Sequence, residues 1–492
     1  MFSQLPYPRS EAPVSPERAL PIRPSKWPAR ICVVADSSGT DTHLWSGLAS
    51  AGDDACLLDL ALTTGIVPAK MATTRLRDLY VPRHDFTPLI SLCVYHWLAR
   101  QSFDLVVFVG VFGVGYYSVV AKDLGLAFKD TILAVVAEAS HAYSLEAAHR
   151  FPHGRTDIEL DFLERQTVRR ADVLISGREE FSTWCVRAGW ELPRTVLTGP
   201  GFPLDRVLDC NRLVCPSAEM PFISVCLPTH NRPALLEQAV ASLVRQTYPH
   251  FEVILVDDGS TDPEVATCLA GLSDLFQMRD WTIIRQSNAG VSAARNAAAR
   301  VARGSYLLFM DDDNIALGHE IERFAVAAAA SGADIITCIP GHHPETDMGP
   351  DAVAELSSLD PDHPLCGVDW TPVGASLSLV AMVNCLGDCN ALYKRSMFEA
   401  LGGFQGSPLS SFEDFRFLML AVVRGYRLEV LPEILFLYRR HQNSRSMRDA
   451  LFHSHVDCLS PLTELVPKEL WPLLLSAHRD WYDRHKGWTN PL

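Results

Sequence analysis

The sequence lacks three features that would assign it at once to a common class: an excess of positive charge, a long uninterrupted apolar run and a regular cysteine framework. Asp and Glu outnumber Lys and Arg by 58 to 43, which gives a net charge of −15. Binding to the phosphates of a nucleic acid is therefore not expected. The most apolar window, Asp104 to Val120, contains three glycines, so it favours a strand, a turn and a helix over a membrane span.

Cysteine usage and the first residues together predict a cytoplasmic protein. The 13 cysteines are odd in number and show no regular spacing, and the N terminus has no charged start followed by an apolar run. We therefore expect reduced thiols and no secretion signal. Cys385 and Cys389 lie four residues apart, but no second pair completes a zinc site, so they are expected to be core thiols. The chain also has no Gly-x-x-x-x-Gly-Lys-Ser/Thr loop, which removes the common NTPase class.

The chain of 492 residues is long enough for two or three domains. Its hydrophobic fraction of 48% and its charged fraction of 21% are those of ordinary soluble globular proteins. Seven prolines and little apolar periodicity near the N terminus predict an extended, disordered arm. The predicted segments are a disordered arm at 1–29, a Rossmann-like α/β domain at 30–205, a linker at 206–221, a second α/β domain at 222–447 and a helical appendage at 448–492.

The C-terminal appendage is predicted to consist of short helices. It carries Trp471, Trp481 and Trp488, and prolines interrupt it. We interpret it as a packing element. Peripheral association with the inner face of a membrane is the alternative, which the small number of basic residues favours less.

Strands and helices alternate in the first predicted domain. Short apolar runs predict four of its strands, at Ile31–Ala35, Leu105–Val109, Ile132–Val136 and Val173–Ser176. The alternation predicts a parallel sheet with helices on both faces. The glycines at 110, 113 and 115 do not have the Gly-x-Gly-x-x-Gly spacing, so a tight strand-to-helix turn is expected there rather than a dinucleotide site.

Tyr306 to Asn314 reads Tyr-Leu-Leu-Phe-Met-Asp-Asp-Asp-Asn, a short apolar run that leads directly into three aspartates. The apolar run predicts a buried strand, and the carboxylates must emerge at its C-terminal edge, because an unpaired buried carboxylate is very costly. In open α/β sheets this edge is where ligands bind. Carboxylates two apart in extended chain point to the same side, so Asp311 and Asp313 are predicted to share Mg²⁺ or Mn²⁺ bound to a diphosphate. A solvated acidic turn is the alternative.

Two further strands of the second domain are predicted to end in polar, turn-forming residues. Phe222–Leu227 leads into the turn Pro228–Pro233, and Phe251–Val256 leads into Asp257–Asp262. These strand ends are predicted to lie at the same edge of the sheet as the aspartates. Such a convergence is what a nucleotide pocket requires.

Eight motifs of the second domain, in order along the chain, resemble those of family 2 glycosyltransferases, which have the GT-A fold. They are Pro228-Thr-His-Asn-Arg232, Val256-Asp-Asp-Gly-Ser-Thr-Asp262, Asn288-Ala-Gly-Val-Ser-Ala-Ala-Arg-Asn296, Gly304 to Asn314, Gly387-Asp-Cys-Asn-Ala-Leu-Tyr-Lys-Arg395, Leu401-Gly-Gly-Phe404, Phe412-Glu-Asp414 and Leu437-Tyr-Arg-Arg-His441. The resemblance implies an inverting transferase that moves a sugar from a nucleotide-diphosphate donor, expected to be a UDP-sugar, to a hydroxyl of a glycan or lipid-linked acceptor.

The same resemblance implies roles for individual residues. The donor-binding residues are Thr229, Arg232, Asp257, Asp258, Arg295 and Asp312. The ligands of Mn²⁺ or Mg²⁺ are Asp311, Asp313 and His441. Asp414 is the general base that takes the acceptor's proton, and Asp388 is a candidate for shaping the sugar pocket.

Several of these residues also have a purely structural interpretation. Asp257 and Asp258 can cap the turn that follows their strand. Arg295, in the first turns of its helix, can meet a diphosphate or form a surface salt bridge. Asp414 opens an apolar helical stretch and can act as its N-terminal cap.

The first domain resembles the N-terminal half of family 4 glycosyltransferases, which have the GT-B fold. The motifs are Phe103-Asp-Leu-Val-Val107 with the glycine turn, Asp161-Phe-Leu-Glu-Arg165, Ala171-Asp-Val-Leu-Ile-Ser176 and Gly189-Trp-Glu-Leu-Pro193. The donor-binding C-terminal half of that family is absent, so the resemblance implies a domain that does not transfer sugar by itself. Acceptor positioning, or assembly with a partner such as a second copy of the chain, is the expected role.

Two other functions compete with sugar transfer. A phosphatase of the Asp-x-Asp type needs Thr or Val two places after its second Asp, and Ile315 stands there. A non-catalytic carbohydrate-binding or scaffold protein would not need the full set of carboxylates that the second domain carries.

Overall fold

The computed structural model describes residues 30–35, 55–60, 72–75, 87–110, 113–199, 202–210, 219–343, 368, 370–405, 412–439 and 456–478. The chain divides into two compact units, Met1–Pro216 and Ser217–Leu492. The predicted arm at 1–29 lies outside the described residues. Among the helices that are described, none has the length and apolar character needed to cross a membrane.

The first unit contains a seven-stranded, all-parallel sheet. Its strands are β1 Ile31–Ala35, β2 Ala55–Asp59, β3 Ala72–Arg75, β4 Leu105–Val109, β5 Ile132–Val136, β6 Val173–Ser176 and β7 Thr195–Thr198. Their order, β3-β2-β1-β4-β5-β6-β7, begins as a doubly wound dinucleotide-binding sheet does. The predicted Rossmann-like α/β architecture is confirmed. The sequence did not predict β3 and β7 because these edge strands read Ala-Thr-Thr-Arg and Thr-Val-Leu-Thr, which are not apolar runs.

Six helices of the first unit are described. They are α1 Thr87–Ala99, α2 Tyr116–Asp123, α3 His141–Ala147, α4 Arg155–Arg170, α5 Glu179–Arg187 and α6 Leu204–Leu208. Alternate residues along the strands lie in two separate hydrophobic cores. Val34 and Val106 belong to one core, and Val33 and Val107 belong to the other. Both faces of the sheet are therefore buried, as expected for parallel strands between helical layers.

Two details of the first unit bear on the sequence-based expectations. A side chain at Gly113, where φ is 67°, would place its Cβ 2.6 Å from Cβ of Leu163, so the backbone before α2 makes the close approach that the glycines predicted. Residues 111 and 112 of the predicted turn lie outside the described residues. The start of the predicted linker 206–221 is folded instead, because Val207 of α6 is fully buried against the sheet. The sequence did not indicate that α6 packs on the sheet, because the helix has only five residues.

The second unit contains a mixed sheet of eight strands. They are β8 Ile223–Thr229, β9 Phe251–Asp258, β10 Thr282–Gln286, β11 Tyr306–Phe309, β12 Ile315–Ala316, β13 Ile335–His343, β14 Leu392–Lys394 and β15 Leu428–Arg439. The order is β10-β9-β8-β11-β14-β13-β15-β12. The first four of these neighbours are parallel, so the carboxyl ends of β8, β9 and β11 meet at one edge, whereas β14 is antiparallel to β11.

The helices of the second unit complete its α/β architecture. They are α7 Pro233–Val244, α8 Pro263–Met278, α9 Val291–Val301, α10 Glu320–Ser331, α11 Leu377–Val380, α12 Arg395–Ala400, α13 Glu413–Val423, α14 Ser460–Thr463, a 3₁₀ helix at Lys468–Leu470 and α15 Trp471–Ala477. The C-terminal helices are short, as the prolines predicted. Cys458 and Leu459 are buried, and Ser460 accepts a hydrogen bond from Arg416 of α13, so residues 458–460 of the appendage pack near α13.

Strands β8 and β9 run two residues further than predicted. The main chain of Asp257 pairs with Thr229 on one side and with Arg285 on the other, so the ladder continues through residues that usually leave strands. Both Asp257 and Asp258 are consequently buried strand residues rather than turn residues. This pairing is a tertiary effect that local propensity does not reveal.

An aromatic cluster holds the strand that leads to the aspartates. Phe309 of β11 contacts Tyr393, Phe398 and Phe404, and Phe404 in turn contacts Phe417 of α13. The cluster thereby packs β11, the loop around Phe404 and α13 against each other. Cys385 and Cys389 are both buried, as the sequence predicted for core thiols.

Candidate active site

The three aspartates lie in a turn between β11 and β12. The amide of Asn314 donates to the carbonyl of Asp311 at 3.1 Å, which closes the turn. Asp311 and Asp313 are therefore joined by a turn and not by the extended chain that the sequence predicted. Thr229, Arg232 and Arg295 bind the three carboxylates, and Arg232 is shared by Asp312 and Asp313. We call residues 311–314 the aspartate turn.

Asp311 binds a buried arginine. Arg295 of α9 donates through Nη2 to Oδ1 of Asp311 at 2.6 Å and through Nη1 to Oε1 of Glu413 at 2.9 Å. Arg295 is 3% exposed, so it is not the surface salt bridge that one interpretation predicted. Burial alone would lower the pKa of Arg295, but the neighbouring charges of Asp311 and Glu413 raise that pKa well above its usual value. The guanidinium is a permanent charge between the aspartate turn and α13.

Asp312 is the most buried aspartate of the turn. Oγ1 of Thr229 donates to its Oδ2 at 2.7 Å, and Nη1 of Arg232 donates to its Oδ1 at 3.1 Å. Burial raises the pKa of Asp312 to about 7; the charge of Asp313 adds to the shift and Arg232 opposes it. Thr229 is itself buried, so its hydroxyl supports the turn rather than facing solvent.

Asp313 is held by two arginines. Nη1 of Arg232 donates to its Oδ2 at 2.9 Å. Its main-chain carbonyl accepts a hydrogen bond from Nε of Arg439 at 2.6 Å. Arg439 is buried at the end of β15, and its Nη1 binds the side chain of Gln238 on α7. With Arg295, three arginines therefore surround the aspartate turn.

Asp257 is fully buried and hydrogen-bonded within the protein. Its Oδ1 accepts from the amide of Ser260 at 2.9 Å, and its Oδ2 accepts from Nε of Arg285 at 3.0 Å. The first contact is the turn cap that one interpretation predicted. The second partner is accessible, because the Arg285 side chain is 60% exposed.

Asp258 organises the loop before α9. Its Oδ1 accepts from Nε2 of Gln286 at 2.7 Å and from the amide of Ala289 at 2.9 Å, and its Oδ2 accepts from the amide of Gly290 at 2.8 Å. Three donors satisfy this carboxylate. Asp258 thus positions the N-terminus of α9, which carries Arg295.

Asp414 lies in the first turn of α13. Burial raises the pKa of Asp414 to about 6; the charge of Glu413 adds to the shift and Arg295 opposes it. The cap position of the helix is Phe412, whose φ of 70° is unusual for a bulky residue, and no side chain caps the helix there. Asp414 is therefore not the N-cap residue, although it lies in the first turn, where the helix dipole favours a carboxylate.

A buried polar network lies beside this carboxylate. Burial raises the pKa of Asp388 to about 7, and the charge of Asp414 adds to the shift. The amide of Asn390 donates to Oδ1 of Asp388 at 2.9 Å, and Nδ2 of Asn390 donates to Oε1 of Glu320 at 2.6 Å. Oδ1 of Asn390 accepts from Nδ2 of Asn314 at 3.2 Å. The network thus connects Asp388 to the aspartate turn.

Of the predicted site residues, only His441 lies outside the described residues. Hydrogen bonds join six of the others directly: Thr229, Arg232, Arg295, Asp311, Asp312 and Asp313. Asp257 and Asp258 lie on the neighbouring strand and bind their own loops. Asp414 is linked to the group through its neighbour Glu413.

Sequence analysis missed the roles of Glu413 and Arg439. Both lie inside motifs of the resemblance, but the roles in those motifs were assigned to Asp414 and His441. The partner of Glu413 is 118 positions away in the sequence, and the partner of Arg439 on α7 is 201 positions away. Without the fold, a single charged residue does not indicate such a partner.

The aspartate turn fits a divalent cation with oxygen ligands. The side chains of Asp311 and Asp313 are 31% and 15% exposed, so both predicted ligands are accessible. Within the described ranges, no three His, Cys, Asp or Glu side chains form a group that could hold a metal. Two carboxylates suit Mg²⁺ or a similar ion that takes its other ligands from water and a bound diphosphate.

Comparison with known proteins identifies the second unit. Residues 224–349 match the family model described as "Glycosyl transferase family 2". The second unit contains a family 2 glycosyltransferase domain. This match confirms the resemblance to family 2 that the motifs predicted, and the sheet of the second unit confirms the predicted α/β fold. The matched range contains the donor and metal candidates from Thr229 to Asp313, whereas Asp414 lies beyond it.

Two relatives of this domain are glycosyltransferases of bacteria. The chain is 27% identical over 227 residues to the uncharacterised glycosyltransferase EpsJ of Bacillus subtilis, which covers 46% of this chain and 63% of EpsJ. It is 36% identical over 117 residues to the glycosyltransferase GlyG of Streptococcus pneumoniae, which covers 23% of this chain and 37% of GlyG. The chain thus spans less than two thirds of the length of either relative.

Among solved structures, the chain is similar to the mannosyltransferase PcManGT from Pyrobaculum calidifontis in complex with GDP-Man and Mn²⁺. The identity is 19% and the TM-score is 0.37, over 52% of this chain and 68% of that chain.

Proposed function

We propose that this chain is an inverting glycosyltransferase that transfers a sugar from a nucleotide-diphosphate donor, foremost a UDP-sugar, to a hydroxyl acceptor. The observation that carries the proposal is the convergence on the aspartate turn. Within or beside a family 2 domain, Thr229 from β8, Arg295 from α9 and Arg439 from β15 each hydrogen-bond to this turn. Polar groups that converge at the carboxyl edge of a sheet are typical of a nucleotide site.

The donor would lie at this edge. Asp257 would accept the imide N–H of a uracil ring, for which the exposed Arg285 can move aside. Asp258 would hold the loop that frames the base, and Thr229 and Asp312 would support the ribose side of the pocket. Arg232 and Arg295 would bring positive charge to the diphosphate.

Asp311 and Asp313 would hold Mn²⁺ or Mg²⁺, with His441 as a further candidate ligand. When bound, the cation would neutralise charge on the departing nucleoside diphosphate. The arginine partners of the two carboxylates would hold them in place before the donor arrives.

Asp414 would take the proton of the acceptor hydroxyl. A carboxyl group with a raised pKa is a better base than an exposed one and is still mostly ionised at neutral pH. Direct attack by the activated hydroxyl on the donor sugar inverts the configuration. Asp388, beside Asp414, would shape the sugar pocket.

The remaining proposals concern acceptor, assembly and location. The first unit, which has a Rossmann-like sheet of its own, would position a glycan or lipid-linked acceptor or mediate assembly, including with a second copy. None of the described cysteines forms a disulfide, which agrees with a reducing compartment such as the cytoplasm. The inner face of the membrane would be the place where a lipid-linked acceptor is met.

A donor screen tests the proposal. The full chain is incubated with UDP-, GDP- and dTDP-sugars, with Mn²⁺, with Mg²⁺ or with EDTA, and release of the nucleoside diphosphate is measured. We expect release with one donor class that depends on the cation, and calorimetric binding of UDP in the presence of Mn²⁺. Folded protein that neither binds a nucleotide nor cleaves any donor would contradict the proposal and favour the non-catalytic alternative.

A further inference from the structure

Arg295 joins two parts of the site that have separate tasks in the proposed reaction. Its Nη2 binds Asp311 of the aspartate turn, and its Nη1 binds Glu413, the residue that precedes Asp414 on α13. The ring of Phe404 lies against the guanidinium, 5.5 Å from the ring centroid to Cζ. We call Asp311, Arg295 and Glu413 the arginine bridge.

We propose that Glu413 is a positioning residue for Asp414 and that it acts through Arg295, which ties the first turn of α13 to the aspartate turn. The inference rests on the proposed function, because it takes Asp414 to be the group that accepts a proton.

The geometry of a guanidinium gives the bridge its directing effect. The group is planar and its N–H donors form a rigid fork. Since Asp311 and Glu413 bind different Nη atoms of this one plane, the two carboxylates are held in a set relation to each other. Among the described residues, Nε of Arg295 has no hydrogen-bond partner, so the orientation of the guanidinium depends on these two carboxylates and the Phe404 ring.

Because the arginine bridge is buried, removing one of its charged side chains is expected to disturb the others. Glu413 and Arg295 are 9% and 3% exposed. Removing one partner of a buried ion pair leaves the other charge poorly compensated, which is strongly unfavourable. Without the Glu413 carboxylate, the guanidinium of Arg295 is expected to turn toward Asp311 and to release its hold on α13.

The backbone before α13 explains why the loss of the Glu413–Arg295 ion pair would displace Asp414. Phe412 has a φ of 70°, in a region that a bulky residue keeps only when its surroundings hold it there. The Glu413–Arg295 ion pair anchors the very next residue. Asp414 follows directly, so a rotation of this first turn displaces the carboxylate that is to meet the acceptor hydroxyl.

The bridge also implies that donor binding and base alignment are coupled. The aspartate turn, where the donor and its cation would bind, and the helix of the base share one guanidinium. An event that changes the interaction of Asp311 with Arg295 therefore changes the position of Glu413. Linkage requires an equal effect of Glu413 on donor binding, which is expected to be small because Asp311 keeps its hydrogen bond to Arg295.

Glu413→Ala and Glu413→Gln, each made in the wild-type chain and in Asp414→Asn, test the positioning role. Turnover is followed as nucleoside diphosphate release from the donors of the screen with Mn²⁺, and UDP binding is followed by calorimetry. Glu399→Ala is the matched control, because Glu399 is 62% exposed and pairs only along its own helix with Arg395.

In the wild-type background, we expect Glu413→Ala to lower kcat on the order of 10- to 100-fold, since a displacement of about 1 Å can cost that much. Donor KM and UDP affinity should stay within about threefold, because the loss acts mainly in the transition state. Glu413→Gln keeps an oxygen that accepts from Nη1 and should recover about half of the loss on a logarithmic scale. In Asp414→Asn, the residual kcat should fall by less than about threefold, because the base to be positioned is already gone.

Three results would overturn the positioning role: kcat of Glu413→Ala close to that of the control, equal falls in both backgrounds, or an altered donor KM with unchanged kcat. If Glu413→Ala does not fold, Glu413→Gln in the two backgrounds carries the same comparison. A wild-type chain that turns over no donor, or a normal rate in Asp414→Asn, refutes the proposed function and the inference with it. If Asp414→Asn has a low kcat and the Glu413 substitutions lower kcat by the same factor in both backgrounds, only the inference is refuted.

Discussion

Replacing Asp414 by Asn separates the chemistry of the proposed base from the binding of the donor. Asn has nearly the same size as Asp but cannot take the proton of an acceptor hydroxyl. The described hydrogen bonds to the carboxylates of the aspartate turn come from Thr229, Arg232 and Arg295, on β8, the loop after it and α9. None of these contacts is removed by the substitution, so the donor site is expected to remain intact.

The expected loss is large and confined to the chemical step. Loss of a general base typically lowers the rate on the order of 10²- to 10⁴-fold. At about 1.4 kcal/mol for each tenfold change, this corresponds to about 3 to 5.5 kcal/mol of lost transition-state stabilisation. Donor affinity should change by no more than a few-fold, because the base interacts with the acceptor hydroxyl mainly in the transition state.

The raised pKa of Asp414 adds a pH dependence with a defined sign. Burial raises the pKa of Asp414 to about 6, so the base loses its proton only as the pH rises through that value. A group with this pKa is about 90% ionised at pH 7 and about 10% ionised at pH 5. The value of kcat/KM should therefore fall about tenfold from pH 7 to pH 5, and the fall should be smaller in the residual activity of Asp414→Asn. The stability contribution of the same group has the opposite sense: it is present at low pH and is lost as the pH rises through about 6.

The assay is release of the nucleoside diphosphate over pH 4.5 to 8 by the wild-type chain, Asp414→Asn and the control Glu399→Ala, with UDP binding measured in parallel. If Asp414 only supported the start of α13, Asn would replace it well, because both residues serve equally at helix N-termini. Near-normal turnover by folded Asp414→Asn, or an unchanged acidic limb, would refute the reasoning.

Three further predictions follow from the site and the fold. Asp311→Ala and Asp313→Ala should each abolish the Mn²⁺-dependent part of UDP binding in calorimetry, because the cation would lose one of its two carboxylates; unchanged affinity in both variants would contradict the metal assignment. Gly304→Ala should lower the free energy of unfolding in urea by about 1 to 3 kcal/mol, because its Cβ would lie 2.7 and 2.8 Å from main-chain atoms of the adjoining strand segment; a midpoint equal to that of the wild-type chain would show that the strands can separate at no cost. Expressed separately, residues 217–492 should bind UDP with Mn²⁺ and residues 1–216 should not, and nucleotide-sugar binding by the first piece would contradict the proposed division of labour.

The central strands of both sheets were predictable because burial on both faces leaves a local mark. β4 and β5 are continuous apolar runs of five residues, and their predicted bounds agree with the structure. The strands at the edges of the first sheet, β3 and β7, pair with a neighbour on one side only and contain threonines. They therefore lack the continuous apolar run that would predict a strand. The difference lies in how many neighbours each strand meets in the folded sheet.

Residue types and their order were enough to predict the match of residues 224–349 to family 2, and they also indicated the aspartates, Arg232, Arg295 and Asp414 as site residues. This much is local, because the apolar run, the turn residues and the carboxylates are adjacent in the chain. The partners of these residues were decided by the tertiary structure alone. Asp257 became a strand residue because both neighbouring strands continue past it, and Arg295 became a buried bridge because α9, the aspartate turn and α13 meet at one point. The energy of a buried charge depends on what surrounds it within a few ångströms, and for Arg295 that includes a carboxylate 118 positions further along the chain.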